Sequence, residues 1–300
     1  MKNSSIKLKI DNIVKVIFLI IGMVCASSIV VIVSFISING IKPFVYDYGN
    51  GRVLFTSFIF GLSWTNSIYG VLGMTINTLY VTFLATLIAL PISVFTALFI
   101  VRIAPKKVAS ALQMIVELLA SIPSIVFGLF GMGAINPMIK NLANAFGVQT
   151  AGGISVLSTV IVLIIMMLPT ITMLSVTSMK AVKDSQINAS LALGATKAQT
   201  DFKIVIGGAK SGILAALILG VGRALGEATA VSMVCGNALS GPNFNLFDRT
   251  RTLTSTMMSG LHESSGQSLD IRFSVGIVLI VIILATNIIL NKIKHRLEKI

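Results

Sequence analysis

Long uncharged apolar runs, separated by short clusters of lysine and arginine, organise this chain. A membrane-spanning helix needs about 20 mostly apolar residues. The first run without a charge is 16–41, preceded by Lys7, Lys9 and Lys15. A cleavable leader carries an apolar stretch of only about 7–15 residues and a small-residue cleavage site, so this run reads as an uncleaved first helix. The stretch 53–101 is also uncharged and too long for one crossing. Its part 61–73 holds Trp64, Asn66 and Tyr69, residue types suited to the membrane interface. The second span is placed at 71–101, with Pro91 inside, and the residues from Val53 onward leave room for a short interfacial helix before it. Further spans are predicted over 108–133 (containing Glu117 and Pro123), 154–177 (with Pro169), 211–235 and 273–291. The pattern predicts an all-α integral membrane protein with six transmembrane helices.

Composition agrees. Hydrophobic residues make up 55% of the 300, charged residues only 11%, and mean hydropathy is +0.95. Soluble domains carry about a quarter charged residues, so the lipid bilayer is the natural solvent. The net charge of +13 could point to nucleic acid. Its distribution points elsewhere, because the cations sit at the ends of the apolar runs, as the positive-inside rule describes. With both termini in the cytoplasm, sixteen of the 23 Lys and Arg lie inside and six outside; Arg223 remains, within a span. Cys25 and Cys235 have no metal or disulfide spacing and read as small apolar packers.

The whole chain, 1–300, reads as one transmembrane domain. Its core is about 70–293, with a cytoplasmic loop at about 178–210 and an outer loop at about 236–272, rich in Ser, Thr, Gly and Asn. In the cytoplasmic loop, Asn188-Ala189-Ser190-Leu191-Ala192-Leu193-Gly194-Ala195 brings a run of helix formers to a glycine, and Ile204 follows. Glycine accepts the left-handed turn that ends one helix and starts another, so a short helix lying across the inner face is predicted. It reads either as a surface helix or as an element that couples to a partner.

The segment Gly222-Arg223-Ala224-Leu225-Gly226-Glu227 lies inside the fifth predicted span, with Arg223 at its middle. A charge at the bilayer centre costs about 2.5–3.5 kcal/mol on insertion scales. Glu227 at i+4 shares a helical face with it. Two readings stand: an ion pair that fixes packing, or an oxyanion site in which Arg223 offers a planar fork of donors and Glu227 holds it in place. Between Glu117 and Gly128, Pro123 interrupts the helix, flanked by Ser121 and Ser124. Pathway lining and a plain kink are both open there. The sequence has no phosphate-binding Gly-x-x-x-x-Gly-Lys-Ser/Thr loop, so any ATP hydrolysis belongs to another chain. His262 and His295 are far apart and read as surface residues, and no catalytic residue, metal site or cofactor is expected.

Together these stretches resemble the phosphate ABC importer permeases, and the PstC-type subunit most closely. The matching pieces are Tyr69 to Leu72, Asn77-Thr78 with Pro91, Glu117 to Gly128, Met166 to Thr170, Gly222 to Glu227, Gly236-Asn237 and Thr252 to Thr254. The cytoplasmic loop is similar to that family's EAA loop, with Asn188 where the family has Glu and Gly207 where it has Pro. The resemblance implies the type I ABC importer permease fold in a bacterial plasma membrane. It also implies a sister permease of the PstA type, ATPase subunits of the PstB type and an extracytoplasmic PstS-type phosphate-binding protein. It places Arg223 and Glu227 on a path for inorganic phosphate, which Ser121 and Ser124 beside the Pro123 break are expected to line as well, and it gives Asn188, Ala189, Ser190, Gly194 and Ala195 the ATPase-coupling role. The neighbouring alternative is a permease for another oxyanion, such as molybdate or phosphonate.

Overall fold

Helices account for nearly all the regular structure in the computed structural model, which describes residues 2–49, 51–65 and 68–298. In chain order they are α1 (Lys2–Val45), α2 (Phe55–Phe60) and α3 (Leu72–Leu98), which runs on into a π-helical turn, Phe99–Ile103. Then come α4 (Lys106–Ser121), α5 (Ser124–Phe130), a π turn at Gly131–Ile135, α6 (Asn136–Ala145) and α7 (Val156–Lys180). Next are α8 (Asp184–Ala192), α9 (Lys197–Thr200), a π turn at Asp201–Ile206 and α10 (Gly207–Gly226). The chain finishes with α11 (Thr229–Val234), α12 (Leu253–Met258) and α13 (Gln267–Glu298).

Six segments are long and apolar enough to cross a membrane: Asn12–Val45, Leu72–Ile103, Ser124–Ala145, Val156–Lys180, Lys197–Gly226 and Gln267–Leu297. The number agrees with the sequence pattern, and so do four of the positions. The short helix expected before the second span is α2. Of the aromatic stretch that follows, Trp64 and Tyr69 pair as an isolated bridge with their rings edge to face; Asn66 lies outside the described residues.

Two spans are corrected. The third is not 108–133. Pro123 cannot donate a helical hydrogen bond and drives the preceding residue out of the helical region. Ile122 (ψ 128°) and Pro123 (ψ 141°) are both extended, so α4 stops at Ser121 and α5 begins at Ser124. This is a full break between two helices rather than a kink. The apolar crossing then continues through α5 and α6 to Ala145, past Lys140 near its end. The fifth span is not 211–235. It begins at Lys197 and stops at Gly226, because Glu227 is extended and its carboxylate accepts the Ala230 N–H at the start of α11.

The core forms where α3, α7 and α10 meet. Ala85, Ala89 and Ala216 are fully buried among Val160, Leu163, Met167, Ile171 and Leu225. Small side chains let such helices approach closely; a Cβ on Gly220 would sit 2.8 Å from the Ile171 side chain. Helix α1 stands apart. It packs along α13, where Ser274 Oγ donates to Gly40 O at 2.6 Å and Phe35 meets Phe273 edge to face. From residue 12 to 35 α1 is exposed and largely apolar, a surface fit for lipid. Cys25 belongs to that exposed surface, so it is no packer, whereas Cys235 is buried.

The loop after α1 is pinned to α13 by the Tyr48 hydroxyl, which donates to Asp270 Oδ2. Burial first, then the Asp270 carboxylate, raises the Tyr48 pKa from 10.0 to about 12. The folded chain therefore holds this proton more tightly than the unfolded one. The stabilisation is full below pH 10.0 and is lost as pH rises to about 12. Tyr48→Phe is expected to remove that alkaline loss, read as the pH dependence of thermal unfolding between those limits. A wild-type and variant profile of the same shape would contradict it.

Candidate functional site

The α10 helix ends in a polar region built from broken elements. Arg223 lies in its last turn and is half-buried. Its Nη1 donates to Thr170 Oγ1 at 2.9 Å, one residue after Pro169 in α7. Because the helix stops at Gly226, Glu227 does not share a face with Arg223. Among the described residues the two form no ion pair. The expected pairing is therefore corrected: Glu227, itself buried, uses its carboxylate to accept Ala230 N–H at 3.0 Å, and its carbonyl accepts from Thr254 Oγ1 at 2.8 Å. It organises α11 and α12, while a threonine hydroxyl orients Arg223.

Helix α12 brings buried hydroxyls next to this break. Thr252 caps it with Ser255 in a reciprocal capping box, and Thr252 and Thr254 hydroxyls lie 3.0 Å apart. Helix α3 fixes the same loop from the other side. Thr78 Oγ1 accepts Leu253 N–H at 3.0 Å, while Asn77 accepts Asn243 N–H at 2.8 Å and donates to Arg251 O at 3.3 Å. Arg251 is buried too. It donates Nη2 to Asn237 O at 2.9 Å, and its Nε has no partner among the described residues. Burial lowers its pKa from the usual arginine value, and the nearby Arg272 lowers it further. Sequence reasoning counted Arg251 as a loop charge. The Thr-Arg-Thr run, polar yet flanked by Leu253, was the signal that this part of the loop folds inward.

The two serines beside Pro123 are placed differently. Ser121 is exposed, its hydroxyl donating to Leu118 O at 2.7 Å; Ser124 is half-exposed at the start of α5. No hydrogen bond joins either to Arg223 or Glu227 among the described residues. What connects the two breaks is packing: a Cβ on Gly128 of α5 would lie 2.5 Å from Met233 Sδ and 3.0 Å from Ala230 Cα of α11. Broken helices at membrane depth persist only where protein or an aqueous cavity satisfies the freed backbone, and here two of them lie side by side. Toward the α8 end of the bundle, α4 and α7 enclose a cavity of about 190 Å³, bordered by Glu117, Thr172 and Thr177. Lys180 Nζ donates to Gln113 Oε1 and Gln113 Nε2 donates to Glu117 Oε1, each at 3.0 Å, along its wall.

At that end α8 and α9 form a tight helical corner. Gly194 takes φ +84°, its N–H reaching Leu191 O at 3.0 Å, while Ala195 N–H reaches Ser190 O at 3.2 Å. This is the Schellman pair that closes a helix on glycine. Thr196 starts α9 with a capping box to Gln199, and the Ser190 and Thr200 hydroxyls meet at 3.0 Å across the corner. Ile187 anchors α8 in a buried cluster with Met179, Val205 and Ala209. Asn188, Ala189 and Gly194 face outward with Leu193, which is 89% exposed; Ser190 and Ala195 are half-buried. Among the residues described, no group of three or more His, Cys, Asp or Glu could hold a metal ion. Both histidines are exposed.

The comparisons agree with this architecture. The chain is 34% identical over 261 residues to the probable ABC transporter permease protein YqgH of Bacillus subtilis, covering 86% of this chain and 82% of that protein. It is 31% identical over 249 residues to the phosphate transport system permease protein PstC 1 of Mycobacterium tuberculosis, covering 77% and 74%. Among solved structures, a bacterial ABC transporter involved in the import of alginate matches with a TM-score of 0.65 at 16% identity, over 93% of this chain and 96% of that one. The inward-facing MetNI methionine ABC transporter matches at 0.57 and 16%, over 74% and 93%. Residues 89–299 match the family described as the binding-protein-dependent transport system inner membrane component. With more than half of its length inside that family and six apolar helices arranged as in solved ABC importers, the chain belongs to the binding-protein-dependent transport system inner membrane components.

Proposed function

We propose that this chain is the permease subunit of an ATP-driven phosphate importer. In this reading one permease domain lines the path together with a sister permease of the PstA type, is driven by PstB-type ATPases and receives phosphate from a PstS-type binding protein. The observation that carries it is Arg223: a guanidinium at the end of an apolar helix, oriented by the Thr170 hydroxyl and paired with no carboxylate among the described residues. Such a charge is balanced by an anion, and its planar donors suit a tetrahedral oxyanion. The PstC names of its relatives support phosphate as that anion. The excess of Lys and Arg on the α8 side supports a cytoplasmic position for both termini and for α8. The exposed Asn188, Ala189, Leu193 and Gly194 corner is then the surface that an ATPase engages. ATP binding and hydrolysis on the partner shift the bundle between outward-open and inward-open states, which is the source of the differential affinity that any such shift requires.

The test is transport by the purified complex in proteoliposomes with its binding protein. ATP-dependent accumulation of radiolabelled phosphate, uninhibited by molybdate or methylphosphonate, is expected. Accumulation of either of those anions in place of phosphate would move the chain to the neighbouring substrate class.

A further inference from the structure

The structure assigns a second role to the foot of the bundle: we propose that the Arg102–Asp201 ion pair is the tie that passes movement of the α8–α9 corner to α3, making both side chains positioning residues for transport. Arg102 Nε donates to Asp201 Oδ1 at 2.7 Å, a charge-assisted contact between two partly buried side chains. Asp201 follows Thr200 directly, the residue whose hydroxyl meets Ser190 across the corner. The corner itself is rigid, closed by a Schellman turn and a capping box.

Both partners lie in π-helical turns, Phe99–Ile103 below α3 and Asp201–Ile206 below α10. A π turn has poorer backbone geometry than an α-helix and recurs where helices serve function. Around the pair, α3, α7, α8 and α10 meet in a buried apolar cluster that includes Leu98, Ile100, Met179, Ile187 and Val205. Apolar contact is non-directional and tolerates sliding; a charge-assisted hydrogen bond at 2.7 Å is directional. The ion pair is therefore what fixes the register of the corner against α3.

The other end of α3 completes the route. From Arg102 to Asn77 the helix rises about 38 Å at 1.5 Å per residue. There Asn77 and Thr78 hold the 243–253 loop, and α12 in turn bonds the Glu227 carbonyl through Thr254. One rod thus links the corner to the polar region beside Arg223. This inference rests on the corner being the ATPase-facing element of a phosphate importer.

The experiment uses the complete complex in proteoliposomes with Arg102→Gln, Asp201→Asn and the exchanged pair Arg102→Asp/Asp201→Arg. Each single change is expected to lower phosphate uptake about tenfold while basal ATP hydrolysis is kept, so that ATP consumed per phosphate moved rises about tenfold; the exchange is expected to return that ratio to within about threefold of wild type. Single variants with a wild-type ratio would overturn the proposal, as would uptake and hydrolysis falling in parallel. So would an exchange that assembles but stays as uncoupled as the single variants. Loss of assembly in all three would overturn it as well, by making the pair a folding contact. A wild-type complex that moves no phosphate refutes the substrate reading instead, and the stimulation of its ATPase by loaded binding protein still reports on the pair.

Discussion

Replacing Arg223 with glutamine is expected to lower the initial rate of phosphate uptake by about 100-fold, with the amount of assembled complex unchanged. The fold has little to lose. Arg223 is half-buried and its guanidinium donates to the Thr170 hydroxyl, a hydrogen bond worth about 1.5–3 kcal/mol with a charged donor, part of which glutamine retains. Transport loses more. Truncating one side of a desolvated charge pair costs about 2–5 kcal/mol, and every 1.4 kcal/mol is tenfold in an equilibrium. Arg223→Lys keeps the charge without the planar fork, so an intermediate loss of about tenfold is expected. Uptake at the wild-type rate by well-assembled Arg223→Gln complex would remove the residue from the phosphate path. Glu227→Gln provides the contrast. Since Glu227 organises Ala230 and accepts from Thr254 rather than holding Arg223, its amide can still accept the Ala230 N–H, and a smaller loss is expected.

These residues also show how far the sequence could be read. The spans were legible because lipid permits only backbones that satisfy their own hydrogen bonds, and that leaves run lengths visible as composition. The interruptions were harder. Pro123 announced a break, but hydropathy continues smoothly across it, so the third span was placed one helix too early. At Glu227 nothing in the local sequence resembles a stop: Gly226-Glu227-Ala228 is compatible with a helix, and the chain leaves it only because Ala230 N–H and Thr254 Oγ1, the second of these 27 positions away, compete for the groups of Glu227. A helical i, i+4 argument therefore joined Arg223 to Glu227 when the folded chain separates them. Arg251 was hidden for the related reason that burial of a loop charge depends on partners distant in sequence, here the Asn237 carbonyl that accepts from it and Asn77, which donates to its own carbonyl. The end of α8 was readable, because a glycine required at φ +84° is local chemistry; the capping box that starts α9 is equally local but was not read.

That local legibility makes the corner the place for a change that leaves the chain intact and disconnects it. The double variant Ala189→Glu/Leu193→Lys is expected to reduce co-purification of the ATPase by about 100-fold, and ATP-dependent uptake with it. Both positions are exposed, Leu193 at 89%, so neither substitution opens a cavity. Spaced i, i+4 with the acid first, the new pair adds about 0.2–0.5 kcal/mol to α8, and the lysine suits the carbonyl end of the helix. The docking face, in contrast, exchanges a methyl and an isobutyl group for two charges that a partner groove has no reason to match; losing two central contacts at about 2 kcal/mol or more each exceeds a 100-fold drop in affinity. Ile187→Ala separates the two possible causes of lost transport. Ile187 is buried within this chain against Met179 and Val205, so its truncation removes about 2–5 kcal/mol of stability and lowers the amount of folded permease while the molecules that remain still bind the ATPase. A double variant that retains the ATPase at the wild-type ratio would show that the corner is not the docking surface, and the exposed leucine would then require a different partner.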